Sequence, residues 1–472
     1  MKKTLIFYIC AAILVSMLWV SVPVVKAEDG ISAAVSSGCH SVDAAFSLSD
    51  EKRMVDTAEA VILYELTSDT MLYNINPDKR VYPTGMVKLM TILVALENAQ
   101  LTDVVTISRK DLNHLTNDPA DPWLKSGEEI TVEDLLYCAM SASFANDAAT
   151  SLANYIAGGV DGFVQLMNEK AAELGCKDTH FTNVTGLHDK DNYTTARDLC
   201  RITEAALENE HFRAIFSAKE HSIAQTNKSD ARIIETSNLM MNSKKYQDDR
   251  VTGGKSGNTK EGGRCVTVTA KSGDMEVLCI VMGAKATYVD EVTLSAHGSY
   301  EEAKILLDYA FKTFECRQVF FDGQVISQYP VQGGANDVVS QPVDSASTVL
   351  PVETDLTQLR WVYLDANSSL TAPVEKGQKL GAVQVWYGQK CLAETDMVAM
   401  NQVLPHTAPV VPEKIRTQVN TQGWKTVLWV ISVIAVLLLL CMLGLLTARA
   451  MRNMSRSARL RRQYRRYRRS SK

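Results

Sequence analysis

The stretch Val427–Leu446 is the feature that most constrains how this chain folds, because it holds 20 residues without a charge. A helix of that length crosses the hydrocarbon core of a bilayer. Trp424 and Trp429 stand at its outer edge, where amphipathic rings prefer to lie. Eleven arginines and lysines follow between Arg449 and Lys472, without any acid. This asymmetry predicts a single-pass protein of the cell membrane with a cytoplasmic tail and its bulk outside the cytoplasm.

The N-terminus supports the same compartment. Met1–Ala27 begins with two lysines, continues with an apolar stretch from Leu5 to Val25, and ends on small residues. This pattern predicts a secretory signal peptide that is cut after Ala27. The alternative is an uncleaved anchor helix, since the apolar run is long for a signal peptide.

The distribution of charge along the chain limits the classes of molecule that the protein is expected to bind. The chain carries −5 overall, while the tail carries +11, Met1–Ala27 carries +3 and Lys425 carries +1, so residues 28–423 carry −20. An acidic ectodomain disfavours nucleic acid as a partner. The basic tail is expected to bind anionic lipid headgroups, and nucleic acid is the alternative. Because the tail directly follows the predicted membrane span, lipid headgroups are favoured.

Cysteine usage indicates neither a metal site nor a cofactor. Eight of the ten cysteines lie outside the two apolar segments, and they form no C-x-x-C pair and no zinc-like cluster with histidine. Disulfides are compatible with the compartment, but the spacing does not pair the cysteines. An ectodomain of this size buries a core without them.

The local patterns predict an α+β fold. Strand patterns come first, helical patterns in the middle, and strands with one helix last, which favours an antiparallel sheet with helices packed on it. The predicted strands are Ala58–Leu66, Met71–Asn74, Cys265–Ala270 and Met275–Gly283, and the predicted helices are Met86–Asn98, Thr131–Ala157, Phe163–Leu174 and Tyr300–Phe314. The resulting divisions are a signal peptide (1–27), a lead-in (28–54), a main domain (55–316), a small β domain (318–403), a linker (404–423), a transmembrane helix (424–448) and a basic tail (449–472).

The segment Val81–Thr91 carries a lysine in an unusual setting. Lys88 stands three residues after Gly85, inside a helix with few other polar groups. An unpaired ammonium is costly to bury, so this lysine is predicted to be paired or to have a lowered pKa. The alternative is a surface lysine whose apolar stem lies along the helix.

A glycine-rich segment, Thr252–Thr259, contains Gly254-Lys255-Ser256. A phosphate-binding loop needs a glycine where Asp249 stands and a helix afterwards, whereas a strand pattern follows here. The segment is therefore not interpreted as a phosphate site.

Together with Ser143–Ala149, these two segments have the spacing of the motifs S-x-x-K, S-x-N and K-T-G. The chain thus resembles the low-molecular-mass D-alanyl-D-alanine carboxypeptidases, serine-type penicillin-binding proteins related to β-lactamases. Further matches follow in order and extend the resemblance over about residues 55–403: Asn76–Arg80, Gly127–Leu136, Thr179–Asn183, Tyr193–Asp198 and Ala372–Gly377. The resemblance implies a β-lactamase/transpeptidase-like domain, then a small all-β domain, and action on peptidoglycan stem peptides.

When the family's roles are transferred position by position, the resemblance places the nucleophile at Gly85. It places the second-motif serine, which is a proton relay in the family, at Phe144. Both hydroxyls are therefore lost. Lys88 matches the general base. The substrate-binding positions are kept: Asn146 for the peptide amide, and Lys255, Ser256 and Gly257 for the terminal carboxylate, with Ser256 replacing threonine.

These losses predict a protein without acyl-transfer catalysis. Removing the nucleophile of a serine hydrolase costs about 10⁶-fold in rate, and the Phe144 ring is expected to narrow the cleft. Thr84 and Ser143 each lie one residue out of register, which on a helix turns a side chain by about 100°. Neither is expected to replace the serine.

The sequence therefore predicts a secreted, membrane-tethered homologue that binds peptidoglycan stem peptides weakly or not at all and acts by binding or scaffolding in cell-wall metabolism, with an unidentified protein partner. One alternative is a working D,D-carboxypeptidase with a non-standard nucleophile. Another is a signalling adaptor that acts through its basic tail.

Overall fold

The computed structural model describes residues 53–112, 124–141, 145–288, 294–364, 370–406 and 429–434. The predicted signal peptide, Ser143, Phe144, most of the predicted transmembrane helix and the basic tail lie outside these residues.

The main domain is built on an antiparallel sheet of five strands in the order β2-β1-β9-β8-β7. This confirms the predicted sheet. The strands of this domain are β1 (Ala60–Glu65), β2 (Thr70–Ile75), β3 (Val104–Thr106), β4 (Glu129–Thr131), β5 (Glu220–Ile223), β6 (Arg232–Glu235), β7 (Val251–Thr259), β8 (Gly263–Ser272), β9 (Met275–Ala284), β10 (Ala286–Tyr288) and β11 (Leu294–His297). Strand β7 forms one edge of the sheet.

Helices cover both faces of this sheet. They are α1 (Val87–Asn98), α2 (Val132–Ser141), α3 (Asn146–Ala157), α4 (Val160–Glu173), α5 (Ala196–Glu208), α6 (Glu210–Ser217), α7 (Leu239–Asn242) and α8 (Gly298–Thr313). One core contains α1 to α6 with side chains such as Ile62 and Ile280, while the other contains α8 with Val61 and Val281. Neighbouring strand residues thus point to opposite cores. Helix α1 is buried from Val87 to Ala95, which fits its nearly all-round apolar sequence.

Three elements differ from the sequence-based expectations. The predicted helix Thr131–Ala157 is described as two helices: α2, whose last described residue is Ser141, and α3, which begins at Asn146 after the non-helical Ala145. Helices α5 and α6 were not predicted, although Thr195 caps α5 by accepting a hydrogen bond from the backbone N–H of Asp198 at 3.0 Å. The segment Thr252–Thr259 is itself a strand, β7, and the predicted strand follows it as β8. Its glycines hid this, because glycine is depleted in strands.

The C-terminal part is an all-β domain, as predicted. Its strands are β12 (Phe314–Phe320), β13 (Ser327–Tyr329), β14 (Val331–Gln332), β15 (Val338–Pro342), β16 (Ala346–Pro351), β17 (Leu359–Leu364), β18 (Leu370–Thr371), β19 (Lys379–Tyr387) and β20 (Lys390–Ala399). Five of them form a sheet in the order β13-β15-β20-β19-β17. Its first strand begins directly after α8, and Phe320 and Val383 belong to the same buried cluster as Val61 of the main sheet.

Among the described residues, 333–335, 404–406 and 429–434 belong to a second unit. Within it, the backbone N–H of Ala335 donates to the carbonyl of Leu404 at 2.9 Å. Residues 429–434 are helical. Among the described residues, no helix has both the length and the apolar content needed to span a membrane.

Candidate active site

The three motif segments meet where α1 begins beside the edge strand β7. Gly85 lies in a short 3₁₀ turn, Thr84–Met86, which leads into α1. A Cβ placed on Gly85 would lie 3.2 Å from Gly257 Cα and 3.3 Å from the Ser256 carbonyl oxygen. A Cβ on Gly257 would lie only 2.5 Å from the Gly85 nitrogen. Strand β7 therefore packs against the backbone of Gly85, and position 257 admits only glycine.

Thr84 precedes Gly85 in a strained backbone conformation. Its φ is 51°, a left-handed value that is an outlier for a β-branched residue and costs about 1–3 kcal/mol. The side chain is buried, and its hydroxyl makes no hydrogen bond with the described residues. This hydroxyl is therefore not bonded to Lys88.

Lys88 lies at the centre of the site. It is only 1 % exposed, and its Nζ donates a hydrogen bond to Asn146 Oδ1 at 2.9 Å. Burial lowers the pKa of Lys88 to about 8, and the nearby Asp147 charge partly opposes that change. The prediction of a paired lysine with a lowered pKa is confirmed, and the surface alternative is wrong.

Asn146 and Asp147 open helix α3 opposite α1. The Asp147 carboxylate is buried and accepts hydrogen bonds from the backbone N–H groups of Ala148 at 2.8 Å and Leu124 at 3.3 Å. Burial raises the pKa of Asp147, while these donors and the charge of Lys88 lower it. The sequence analysis did not assign Asp147 a role, although its place beside Asn146 was visible.

Lys255 and Ser256 point to opposite faces of β7. Ser256 pairs with Val266 of the α8-side core, whereas Gly257 pairs with Cys265 of the other core. Lys255 therefore shares the face of Lys88, and burial and the Lys88 charge hold the pKa of Lys255 well below its usual range. Ser256 faces α8, and its hydroxyl donates to the Ser237 carbonyl at 3.3 Å.

The second-motif segment is described only at its flanks. The carbonyl of Ser141, at the end of α2, accepts a hydrogen bond from the backbone N–H of Ser237 at 2.8 Å. Ala145 is buried directly before α3. Ser141, the last described residue before Phe144, therefore lies beside Ser237, the residue that Ser256 contacts.

The structure thus brings Gly85, Lys88, Asn146, Lys255 and Gly257 together on one face of β7 and places Ser256 on the other. Three residues on the Ser256 side, namely Arg264, His297 and Tyr300, were not among the site residues expected from the sequence. Arg264 pairs with Asn258 across β7 and β8. Its position five residues beyond the end of β7 was the only signal in the sequence.

Comparison with known proteins gives consistent matches. The family described as D-alanyl-D-alanine carboxypeptidase matches residues 48–286, and the penicillin-binding protein 5 C-terminal domain matches residues 314–404.

Individual relatives cover most of the chain. The D-alanyl-D-alanine carboxypeptidase DacF of Bacillus subtilis is 28% identical over 75% of this chain and 89% of its own length. DacC of Escherichia coli is 29% identical over 73% of this chain and 84% of its own length. The crystal structure of penicillin-binding protein 5 from Haemophilus influenzae superposes with a TM-score of 0.59 at 28% identity, covering 74% of this chain and 98% of the other.

The family match spans half of the chain, and the fold and the motif geometry agree with it. The protein belongs to the D-alanyl-D-alanine carboxypeptidase family and carries the penicillin-binding protein 5 type of C-terminal β domain.

Proposed function

We propose that this protein is a non-catalytic member of its family that acts in peptidoglycan metabolism by binding or scaffolding. The observation that carries the proposal is the environment of Gly85. This residue occupies the nucleophile position, it has no side-chain oxygen, and its backbone is in contact with Gly257. Lys88 therefore has no hydroxyl to activate at this position.

The remaining polar groups fit a binding role better than a catalytic one. Lys88, Asn146 and Lys255 keep the arrangement that polarises and orients a peptide, with the Lys88–Asn146 hydrogen bond formed. A general base is useful only within reach of a proton that it can remove. The Thr84 hydroxyl makes no bond to Lys88. Phe144 adds a second loss at the proton-relay position of the family.

The same proposal includes the compartment and the partners. The protein is anchored in the cell membrane by one span, with the two folded domains outside the cytoplasm and the arginine-rich tail inside. The tail binds anionic lipid headgroups. The cleft binds stem peptides weakly or not at all, because a phenyl ring at position 144 takes more room than the serine side chain that the family has there.

Covalent labelling of the full-length protein by a fluorescent penicillin, read as intact mass, tests the loss of catalysis. The native protein is expected to remain unlabelled. The control is the double variant Gly85→Ser, Phe144→Ser, which restores both hydroxyls and is expected to be acylated after β7 shifts by a few tenths of an ångström. A penicilloyl adduct on the native protein would overturn the proposal.

Release of D-Ala from a pentapeptide gives a second, independent reading that does not depend on the double variant. Native turnover is expected to equal that of Lys88→Ala. Turnover above this control would identify a working carboxypeptidase with another nucleophile.

A further inference from the structure

Cys391 forms a disulfide bond whose partner lies outside the described residues. It is the second residue of β20, and it is disulfide-bonded. The other six cysteines among the described residues carry free thiols: Cys138, Cys176, Cys200, Cys265, Cys279 and Cys316. The chain has ten cysteines, so the partner is Cys10, Cys39 or Cys441.

Two of these three candidates belong to segments that the predicted topology separates from the folded domains. Cys10 is part of the predicted signal peptide, which is cut after Ala27, and Cys441 is part of the predicted membrane span. A disulfide forms and persists in an oxidising compartment outside the cytoplasm. Cys39, in the predicted lead-in, is therefore the candidate that shares a compartment with Cys391.

The point where the chain enters the main domain lies within reach of Cys391. Val55 is 1 % exposed and belongs to the same buried cluster as Leu392, the neighbour of Cys391. Cys39 stands 14 residues before Arg53, where the described residues begin. A chain of this length can span about 45 Å when extended. Cys39 can therefore reach Cys391 from the entry point of the chain.

The entry point itself is held on the main domain. The Glu302 carboxylate of α8 accepts hydrogen bonds from the backbone N–H groups of Asp56 at 3.2 Å, Thr57 at 2.6 Å and Ala58 at 3.1 Å. Glu302 is only 5 % exposed. The residues that follow the lead-in are thus fixed to the main domain, so a bond between the lead-in and β20 joins the main domain to the β domain.

The start of β20 is shielded from water. Lys390 begins this strand directly after the two-residue turn that follows β19, a place where a lysine is ordinarily solvated. Burial nevertheless lowers the pKa of Lys390 to about 8. Leu392, on the other side of Cys391, is 5 % exposed. The end of the hairpin that carries Cys391 is therefore covered by other parts of the chain.

Burial explains why the six other described cysteines stay reduced. Four of them are at most 2 % exposed: Cys138, Cys200, Cys265 and Cys279. Burial raises the pKa of each of these thiols, and it raises the pKa of the half-buried Cys176 to about 12. The pKa of Cys316 is raised by burial as well. Because only a thiolate attacks a disulfide, these thiols are unreactive in the folded protein at neutral pH.

We propose that a disulfide between Cys39 and Cys391 fastens the lead-in to the β domain and so joins the two domains covalently. The bond forms by thiol–disulfide exchange with an oxidised thiol–disulfide oxidoreductase of the extracytoplasmic space. Cys39 and Cys391 each give up one proton and one electron to form the S–S bond, and the disulfide of the oxidant is reduced to two thiols. The inference goes beyond the proposed function, since it needs the proposed compartment but not the loss of catalysis.

Peptide mapping of the full-length protein tests the bond. The protein is denatured, alkylated with iodoacetamide and digested with trypsin, once without reductant and once after reduction. Without reductant we expect one cross-linked species, in which the peptide that contains Cys39 and ends at Lys52 is joined to the peptide Cys391–Lys414. Its mass is lower than the sum of the two peptides by two hydrogens, and reduction separates them. The six free cysteines are alkylated before reduction and serve as internal controls.

Three outcomes of the mapping contradict the inference. One is alkylation of both Cys39 and Cys391 before reduction. Another is a bond between Cys391 and any other cysteine. The third is a disulfide-linked dimer on a non-reducing gel, because it would place the bond between two chains.

Serine variants measure what the bond does for the folded protein. Cys39→Ser, Cys391→Ser and the double variant are all expected to lower the melting temperature by the same amount, about 5 °C, because each removes the same bond. Dithiothreitol should lower the melting temperature of the native protein to that of Cys39→Ser and leave this variant unchanged. Cys176→Ser, which changes a half-buried free cysteine, is the matched control and should keep the cross-linked peptide.

Additive shifts in the two single variants would show that the cysteines act independently and would contradict the bond. If Cys391→Ser does not fold, Cys39→Ser decides alone, since Cys39 precedes both predicted domains.

The two proposals fail separately. Penicillin labelling of a native protein that contains the cross-linked peptide would overturn only the loss of catalysis. An unlabelled protein with free thiols at Cys39 and Cys391 would overturn only the disulfide.

Discussion

At the scale of single residues, the site around Gly85 combines buried positive charge with a strained backbone. Lys88 and Lys255 are both almost fully buried, and their charges repel each other. Thr84 keeps a strained backbone beside Gly85. Strain and buried charge reduce stability and usually mark functional sites. Their presence here supports a binding role for this face of β7.

The coupling of the two lysines leads to a prediction about Lys255. Replacing Lys88 by methionine removes the positive neighbour that helps to lower the pKa of Lys255, so that pKa is expected to rise. Titration of ¹³C-labelled lysine side chains by NMR measures it. Lys312→Met, an exposed lysine on α8, serves as the control. An unchanged or lower pKa of Lys255 in Lys88→Met would contradict the coupling.

At the scale of elements, strand β1 is joined to α5 by a contact with a titratable side chain. Tyr64 is fully buried, and its hydroxyl donates to Glu204 Oε1 at 3.3 Å. Burial, with the charge of Asp69 second, raises the pKa of Glu204 from 4.5 to about 7. Helix α5 thus holds a carboxyl group that stays protonated in the folded protein at mildly acidic pH.

The sign of the resulting pH dependence follows from proton binding. Between pH 4.5 and about 7 the folded chain holds a proton on Glu204 that the unfolded chain has released. The free energy of unfolding is therefore expected to fall as the pH rises through this window, by about 1–2 kcal/mol after allowance for partial exposure. Urea unfolding at several pH values measures this.

Glu204→Gln should flatten that dependence, because the amide does not titrate. Glu208→Gln changes an exposed glutamate on the same helix and should retain most of it, because the Glu208 charge is the smallest of the named causes that raise the pKa of Glu204. A native slope that survives in Glu204→Gln would place the titrating group elsewhere.

At the scale of the whole molecule, one buried cluster links the main domain to the β domain. Phe320 of β12 is completely buried and packs edge-on against Trp361, with ring centroids 5.7 Å apart. The cluster that contains it also contains Val61 of the main sheet and Leu306 of α8. Side chains from both domains therefore form one buried core from which water is excluded.

Truncation of Phe320 is expected to be costly for this reason. Phe320→Ala should reduce the free energy of unfolding by about 3–5 kcal/mol, as large-to-small changes in a core do. Its neighbour Phe321 is 48 % exposed, and Phe321→Ala should stay within about 0.5 kcal/mol of the native protein. Chemical denaturation compares the two variants. Equal effects would show that Phe320 does not belong to a shared core.

Much of the fold could be predicted from local patterns. Alternating apolar and polar residues and short apolar runs located β1, β2, β8 and β9 to within two or three residues. The helix predicted to start at Thr131 begins there as α2, with Thr131 as its capping residue. Strand β7 was missed because its glycines, which allow close contact with Gly85 and other backbone groups, weaken any strand pattern. At β7, the close backbone contacts of the folded protein therefore outweighed the low preference of glycine for strands.

The sequence by itself determined the family, the glycine at position 85 and the need of Lys88 for a partner, because these depend on residue identity and spacing along the chain. Only the tertiary structure decided which partners meet. Asn146 bonds to Lys88 across 58 positions, and Arg264 and His297 join Ser256 at one cavity from three separate elements. Such contacts depend on strand register and helix packing, which local patterns do not encode.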